Sequence, residues 1–170
     1  MSDTDESTEL NNPEGDGTAG GVPFLDAANR AIIETLQRDG RQPYGAIALA
    51  VGLSEAAVRR RVQRLREAGI MQIVAVTDPL QLGFTRQAMI GITVEGDVRV
   101  VADKLSALPE VEYVVMCAGS FDILAEVVCE DDERLLQVLN DSVRSIAGVR
   151  GTETFLYLKL AKQTYTWGTR

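Results

Sequence analysis

Five arginines (Arg59, Arg60, Arg61, Arg64 and Arg66) fall within positions 59–66 of the stretch SEAAVRRRVQRLREAGI, Ser54 to Ile70. A guanidinium is a planar fork of N–H donors that stays charged near neutral pH, so a cluster of them suits paired acceptors such as phosphate oxygens or O6 and N7 of guanine. The chain as a whole carries a formal net charge of -8, so the concentration of positive charge calls for a reason. Residues 1–24 hold six acids and no base, residues 25–69 eight arginines against five acids, and residues 70–170 nine bases against fourteen acids. That asymmetry describes one basic module on an otherwise acidic protein.

Other chemistry is thinly provided. Two cysteines and no histidine leave no Cys/His metal set and remove the commonest general base. There is no Gly-rich phosphate loop and no nucleophile beside a plausible base, so no enzyme and no cofactor is expected. Cys117 and Cys129 fall in two apolar runs that read as a hairpin around Ala118 to Phe121, with Cys117 opposite Asp122. About seven strand positions at about 3.3 Å each separate the thiols by more than about 20 Å, which forbids an intrachain disulfide. Buried thiols in a reducing compartment are expected. With no apolar stretch of the roughly 18 residues that could span a bilayer, and no signal-peptide pattern at the start, the expected location is the cytoplasm, with no membrane partner.

The elements that must position the arginines can be read on both sides of them. From Asp26 to Asp39, Ala28, Ile32, Ile33 and Leu36 recur at helical spacing, with Asp26 placed to cap the start and Gly40 the end. Pro43 suits a first helical turn, Tyr44, Ile47, Ala48 and Val51 mark a short second helix, and Gly52 permits a tight turn. Ser54 caps a third helix, Glu55 to Ala68, whose Val58, Val62 and Leu65 form one apolar stripe while the arginines take the other positions. IMQIVAVTDPLQLGF, 70–84, alternates like two strands around Asp78 and Pro79. Three helices and a two-stranded extension spell a winged helix-turn-helix.

The remainder is an internal pseudo-repeat. QAMIGITVEG, DVRVVADKLSALP and EVEYVVMC read as strand, helix and strand, with Val98, Val101, Leu105 and Leu108 inward. DILAEVVCE, DDERLLQVLNDSVRSIAG and VRGTETFLYLKL repeat the order, with Leu135, Leu139, Val143 and Ile146 inward. Two such units make a ferredoxin-like βαββαβ α/β sandwich, with helices on one face of a four-stranded sheet. The last strand is apolar on both sides, and the side of Leu156, Leu158 and Leu160 is expected to pack on another protomer. The fold class is thus α+β. The expected organisation is a disordered acidic tail (1–23), the winged helix-turn-helix (24–76), a linker (77–85), the ferredoxin-like effector-sensing and oligomerisation domain (86–162) and a C-terminal tail (163–170).

Taken in order, LDAANRAIIETLQRDGR, YGAIALAVGLSEAAVRRRVQRLREAGI, DPLQLG, CAGSFDILAEV and GVRGTETFLYL resemble the Lrp/AsnC, or feast/famine, transcriptional regulators over Phe24 to about Lys162. The chain departs from that pattern at Asn29, where a second acid is frequent, and at Leu49, where a charge is usual. The resemblance implies a regulator of amino-acid or nitrogen metabolism that binds double-stranded DNA as a homodimer or a larger assembly, up to an octamer. Tyr44, Ser54, Glu55, Ala56, Ala57, Arg59, Arg60, Arg61 and Arg64 form the expected DNA-binding set. Ser54 to Ala57, Arg59 and Arg60 are expected near the bases, and Arg61 and Arg64 on phosphate. It also implies a small amino-acid effector held by Gly119, Ser120, Phe121 and Asp122 with Thr152 and Thr154. Glycine admits backbone N–H groups to a carboxylate, Asp122 suits an α-ammonium, and threonine hydroxyls add hydrogen bonds.

Two other readings stand beside these. An amino-acid-binding regulatory module acting through protein partners would leave the arginines a solvated face. The acidic tail either competes with DNA for the arginine helix or serves solubility, and solubility is the simpler assignment.

Overall fold

The computed structural model describes residues 25–169, so the acidic tail lies outside the described residues. Two compact units are formed, one by the described residues up to Val74 together with Tyr165 onward, the other by Ala75–Thr164.

In the first unit, α1 (Ala27–Arg38), α2 (Tyr44–Val51) and α3 (Glu55–Glu67) follow in short succession. Asp26 caps α1 by accepting from the Asn29 N–H at 2.7 Å, satisfying a donor that the first helical turn leaves without a carbonyl. Gly52 ends α2 in the left-handed region at φ 69, where a Cβ would be strained. Two residues later the Ser54 hydroxyl accepts from the Ala57 N–H at 3.2 Å and starts α3. Ile32, Leu36, Ile47, Ala48, Val58 and Val62 close into one buried cluster, so the apolar stripe of α3 faces the first two helices and Arg59, Arg60, Arg64 and Arg66 are turned outward. The C-terminal tail expected at 163–170 is divided: Tyr165 onward groups with the helices, where the Gly168 N–H donates to Gln37 Oε1 at 3.2 Å.

The two-stranded extension is not formed. Residues 71–78 take no regular structure, and Pro79–Leu82 make a single 3-10 turn capped by Asp78. Val74 and Val76 are more than half exposed. An isolated pair of strands without a third strand or an apolar cover has too little to bury, so alternation alone does not hold it together.

The second unit is the expected sandwich. Its elements are β1 (Arg86–Val94), α4 (Val98–Ser106), β2 (Val111–Met116), β3 (Ile123–Cys129), α5 (Asp132–Gln137) and β4 (Val149–Leu156). The sheet order is β2-β3-β1-β4, with every neighbouring pair antiparallel. Ala88, Ile90 and Ile92 of β1 and Ile123, Ala125 and Val127 of β3 are buried with Val101 and Leu105 of α4 and with Leu135 of α5, Val138 and Val143. Leu139 and Ile146, expected inward, pack against this core only partly buried, and Val138 takes a fully buried place. The cause is a π-helical turn over Val138–Val143, whose wider spacing brings residues five apart onto one face.

Within the second unit, no described helix covers the sheet's opposite face. Register puts Phe155 opposite Met89 and Leu156 opposite Ala88, so the Phe155 side lies on the uncovered face and the Leu156 side follows the helices. This reverses the expectation for the last strand, which also stops at Leu156. Leu158 is 93% exposed beyond it.

Candidate nucleic-acid interface

Helix α3 presents Ser54, Glu55, Ala56, Arg59, Arg60 and Arg64 to solvent, while Ala57 and Arg61 are half-buried. Arg59 is not a loose side chain. Its Nη2 donates to Glu55 Oε1 at 2.9 Å, and its guanidinium carbon stands 5.4 Å from the centre of the Tyr44 ring, within cation–π range. Tyr44 therefore belongs to the same surface, contributed by the first residue of α2.

Arg61 is committed elsewhere. One of its nitrogens donates to Asp26 Oδ2 at 2.6 Å and to Asn29 Oδ1 at 3.0 Å. The Asn29 N–H and the Arg61 guanidinium together hold the Asp26 carboxyl below the usual carboxylate range. The sequence shows Asp26 as a cap, but nothing in spacing reveals a partner 35 positions away. Asn29 is the other half of that socket. Arg60 and Arg64 stand one helical turn apart and line a shallow groove with Leu53 and Ala57. Neither makes a side-chain hydrogen bond or ion pair among the described residues.

The second candidate set is placed at one end of the sheet. Cys117 N–H donates to the Asp122 carbonyl at 2.9 Å, as expected for the hairpin, and Asp122 N–H donates to the Ile92 carbonyl at 2.9 Å. Ile92 is flanked by Ile123 on one side and Thr152 on the other, so the turn and the start of β4 share a row. They do not share a face. Phe121 lies on the uncovered side over Gly91, where a Cβ would meet its ring at 2.7 Å, and it meets Phe155 edge-on at 6.1 Å. Thr152 and Thr154, opposite Ile92 and Ile90, are on the helix side. The Asp122 carboxylate accepts from the Val94 N–H at 2.7 Å, and the Thr152 hydroxyl accepts from Arg144 Nε at 2.9 Å. Gly119 and Ser120 are exposed at the turn. Arg144, whose Nη1 also donates to Asn140 at 2.9 Å, went unnoticed in the sequence because it has no periodic or motif signal.

Cys129 is buried and Cys117 exposed, both free, so only one of the two expected buried thiols is buried. Burial pushes the Cys129 thiol up.

Comparison with known proteins accords with this geometry. Residues 25–66 match the AsnC-type helix-turn-helix domain, and residues 84–170 match a C-terminal dimeric alpha+beta barrel domain of the AsnC regulators. The HTH-type transcriptional regulator FL11 of Pyrococcus furiosus is 39% identical over 143 residues, 83% of this chain and 94% of that protein. The solved structure of Escherichia coli AsnC superposes with a TM-score of 0.71 at 28% identity, covering 83% of this chain and 97% of the other. A transcriptional regulator from Neisseria meningitidis, solved as a complex with L-Met, superposes with a TM-score of 0.72 at 26% identity, covering 84% and 95%. The chain belongs to the Lrp/AsnC family: it is a transcriptional regulator with a helix-turn-helix DNA-binding domain, and its relatives are regulators, not enzymes. No helix among the described residues is long and apolar enough to cross a membrane.

Proposed function

We propose that this protein is a cytoplasmic, sequence-specific regulator of amino-acid or nitrogen metabolism that reads paired half-sites as a dimer or a larger assembly and responds to a small amino acid. The observation that carries the reading is the two-sided third helix. Val58, Val62 and Leu65 are buried, and Ser54, Glu55, Arg59, Arg60 and Arg64 are exposed on what remains of its circumference. Such a helix, preceded by α2 and a tight turn, fits the major groove with its N-terminal half deepest. Arg59 and Arg60 take base edges, and Arg64 takes phosphate. Arg61, first expected on phosphate, is left out of the contact set because Asp26 and Asn29 already occupy it.

A dimer that neutralises roughly six to eight phosphates loses affinity with salt at a log–log slope near -5 to -7. Titration of operator DNA at several salt concentrations checks this, and a slope near zero contradicts it. The uncovered sheet face, with Phe121, Phe155 and Met89, supports self-association there.

The effector is assigned to the end of the sheet bearing Gly119 to Asp122 and Thr152. Because Phe121 and the threonines lie on opposite faces, these residues enclose an amino acid only with help from a second protomer. Calorimetry with each amino acid, on wild type and Asp122→Ala, tests the placement. Unchanged binding of every amino acid rejects it.

A further inference from the structure

Glu55 is the acidic member of the arginine surface, and a carboxylate on a helix entering a groove walled by phosphates is repelled by them. Its position is nevertheless built. One oxygen holds Arg59 Nη2 at 2.9 Å, while the other lies where a Cβ on Gly45 of α2 would come within 3.3 Å. Tyr44, the neighbour of Gly45, covers the Arg59 guanidinium from its ring face at 5.4 Å. Two residues of α2, Tyr44 and Gly45, therefore meet one donor–acceptor pair, Arg59 and Glu55, at the leading end of α3. Resting on the DNA-binding reading above, we infer that Glu55 is a specificity-determining residue, which makes Arg59 read guanine in a G·C pair and denies it to phosphate.

The chemistry follows from what each group accepts. Guanine offers O6 and N7 to an arginine fork, and cytosine offers the N4 amino group to a carboxylate. A guanidinium alone is satisfied by any phosphate within reach. Paired with Glu55 it has little net charge to offer phosphate, and one of its nitrogens is already directed. The pair gains fully only where two adjacent acceptors are followed by a donor, as along a G·C pair; an A·T pair sets its donor between two acceptors and leaves the arginine fork one acceptor short. Gly45 keeps the space that the carboxylate occupies, so a third residue sets the same geometry.

The test is selection from a randomised DNA library by the full-length protein, with affinity measured for the selected site, for the same site carrying A·T at the Arg59-dependent position, and for unrelated DNA. Wild type is compared with Arg59→Ala, Glu55→Gln and Gly45→Ala, each checked by circular dichroism and thermal melting. Arg59→Ala locates the dependent position. Glu55→Gln is expected to keep the fold, to lose on the order of tenfold in discrimination at that position, and to bind unrelated DNA more tightly, with a salt slope steeper by about one per recognition helix. Gly45→Ala moves the carboxylate without changing net charge. It is expected to lose discrimination several-fold at that position while leaving the slope unchanged, so it serves even if Glu55→Gln fails to fold. Wild-type discrimination retained in both variants overturns the role of Glu55 and leaves the DNA reading intact. No selected site for wild type at low salt overturns both.

Discussion

Arg61, in the middle of the recognition helix, closes to 2.6 Å on Asp26, the residue that caps the first helix through its other carboxylate oxygen. One side chain thus starts α1 and anchors α3. Replacing Asp26 with alanine removes a cap worth about 1 kcal/mol and leaves Arg61 with Asn29 alone. Chemical denaturation is expected to show a loss of about 1 to 2 kcal/mol, with little added by the ion pair itself because both partners keep contact with water.

The same carboxylate gives a pH dependence. The Asn29 N–H and Arg61 hold Asp26 below its ordinary value in the folded state. Its contribution is therefore complete above the unfolded value near 3.9 and is lost as pH falls through the folded one. Melting temperatures of wild type and Asp26→Asn, compared from pH 6 down to pH 2, should begin to approach one another below about pH 4 and meet only below the folded-state value of Asp26. A constant difference across the range contradicts this.

Arg61 and Arg64 should separate by role. Arg64→Ala is expected to leave stability unchanged and to reduce the magnitude of the salt slope by about one per recognition helix. Arg61→Ala should lower the melting temperature while leaving the slope nearly as it was. Parallel melts and salt titrations of the two variants distinguish them.

Gly91 is needed under Phe121. A methyl group there would meet the ring at 2.7 to 2.8 Å, so Gly91→Ala must displace Phe121 and break its edge contact with Phe155. An overpacking cost of about 1 to 3 kcal/mol is expected, together with weaker self-association in sedimentation experiments, since the displaced rings belong to the uncovered face. Unchanged stability and assembly would show that this face has room to spare.

Thiol chemistry should divide as burial does. A maleimide or a disulfide reagent is expected to modify Cys117 in the native protein and to reach Cys129 only after unfolding, because the latter is buried beneath the helices and its thiol is pushed up. Mass spectrometry of native and denatured samples reads this directly.

The helix-turn-helix was legible because its signals are local. Asp26, Gly52 and Ser54 each act within a few residues, and the stripe of Val58, Val62 and Leu65 needs only helical periodicity. The sandwich was legible because strand alternation and two apolar helices recur in order. What escaped depends on groups far apart or on a missing partner. The strands expected over 70–84 had the right alternation but too little to bury as an isolated pair. The inward list for the last helix missed Val138 because a π-turn breaks the spacing at Val138–Val143. The role of Arg61 depends on Asp26 across the helix packing. The division of Phe121 from Thr152 and Thr154 between two sheet faces is a matter of register, which the sequence of one strand does not reveal.

Selection from a randomised DNA library by the purified protein tests the central claim most directly, with and without a mixture of the twenty amino acids and beside an Arg59→Ala, Arg60→Ala double variant. The predicted result is enrichment of an inverted repeat that the double variant loses and that at least one amino acid shifts. Enrichment of nothing at low salt under either condition would contradict the account and leave the arginines of α3 a solvated surface.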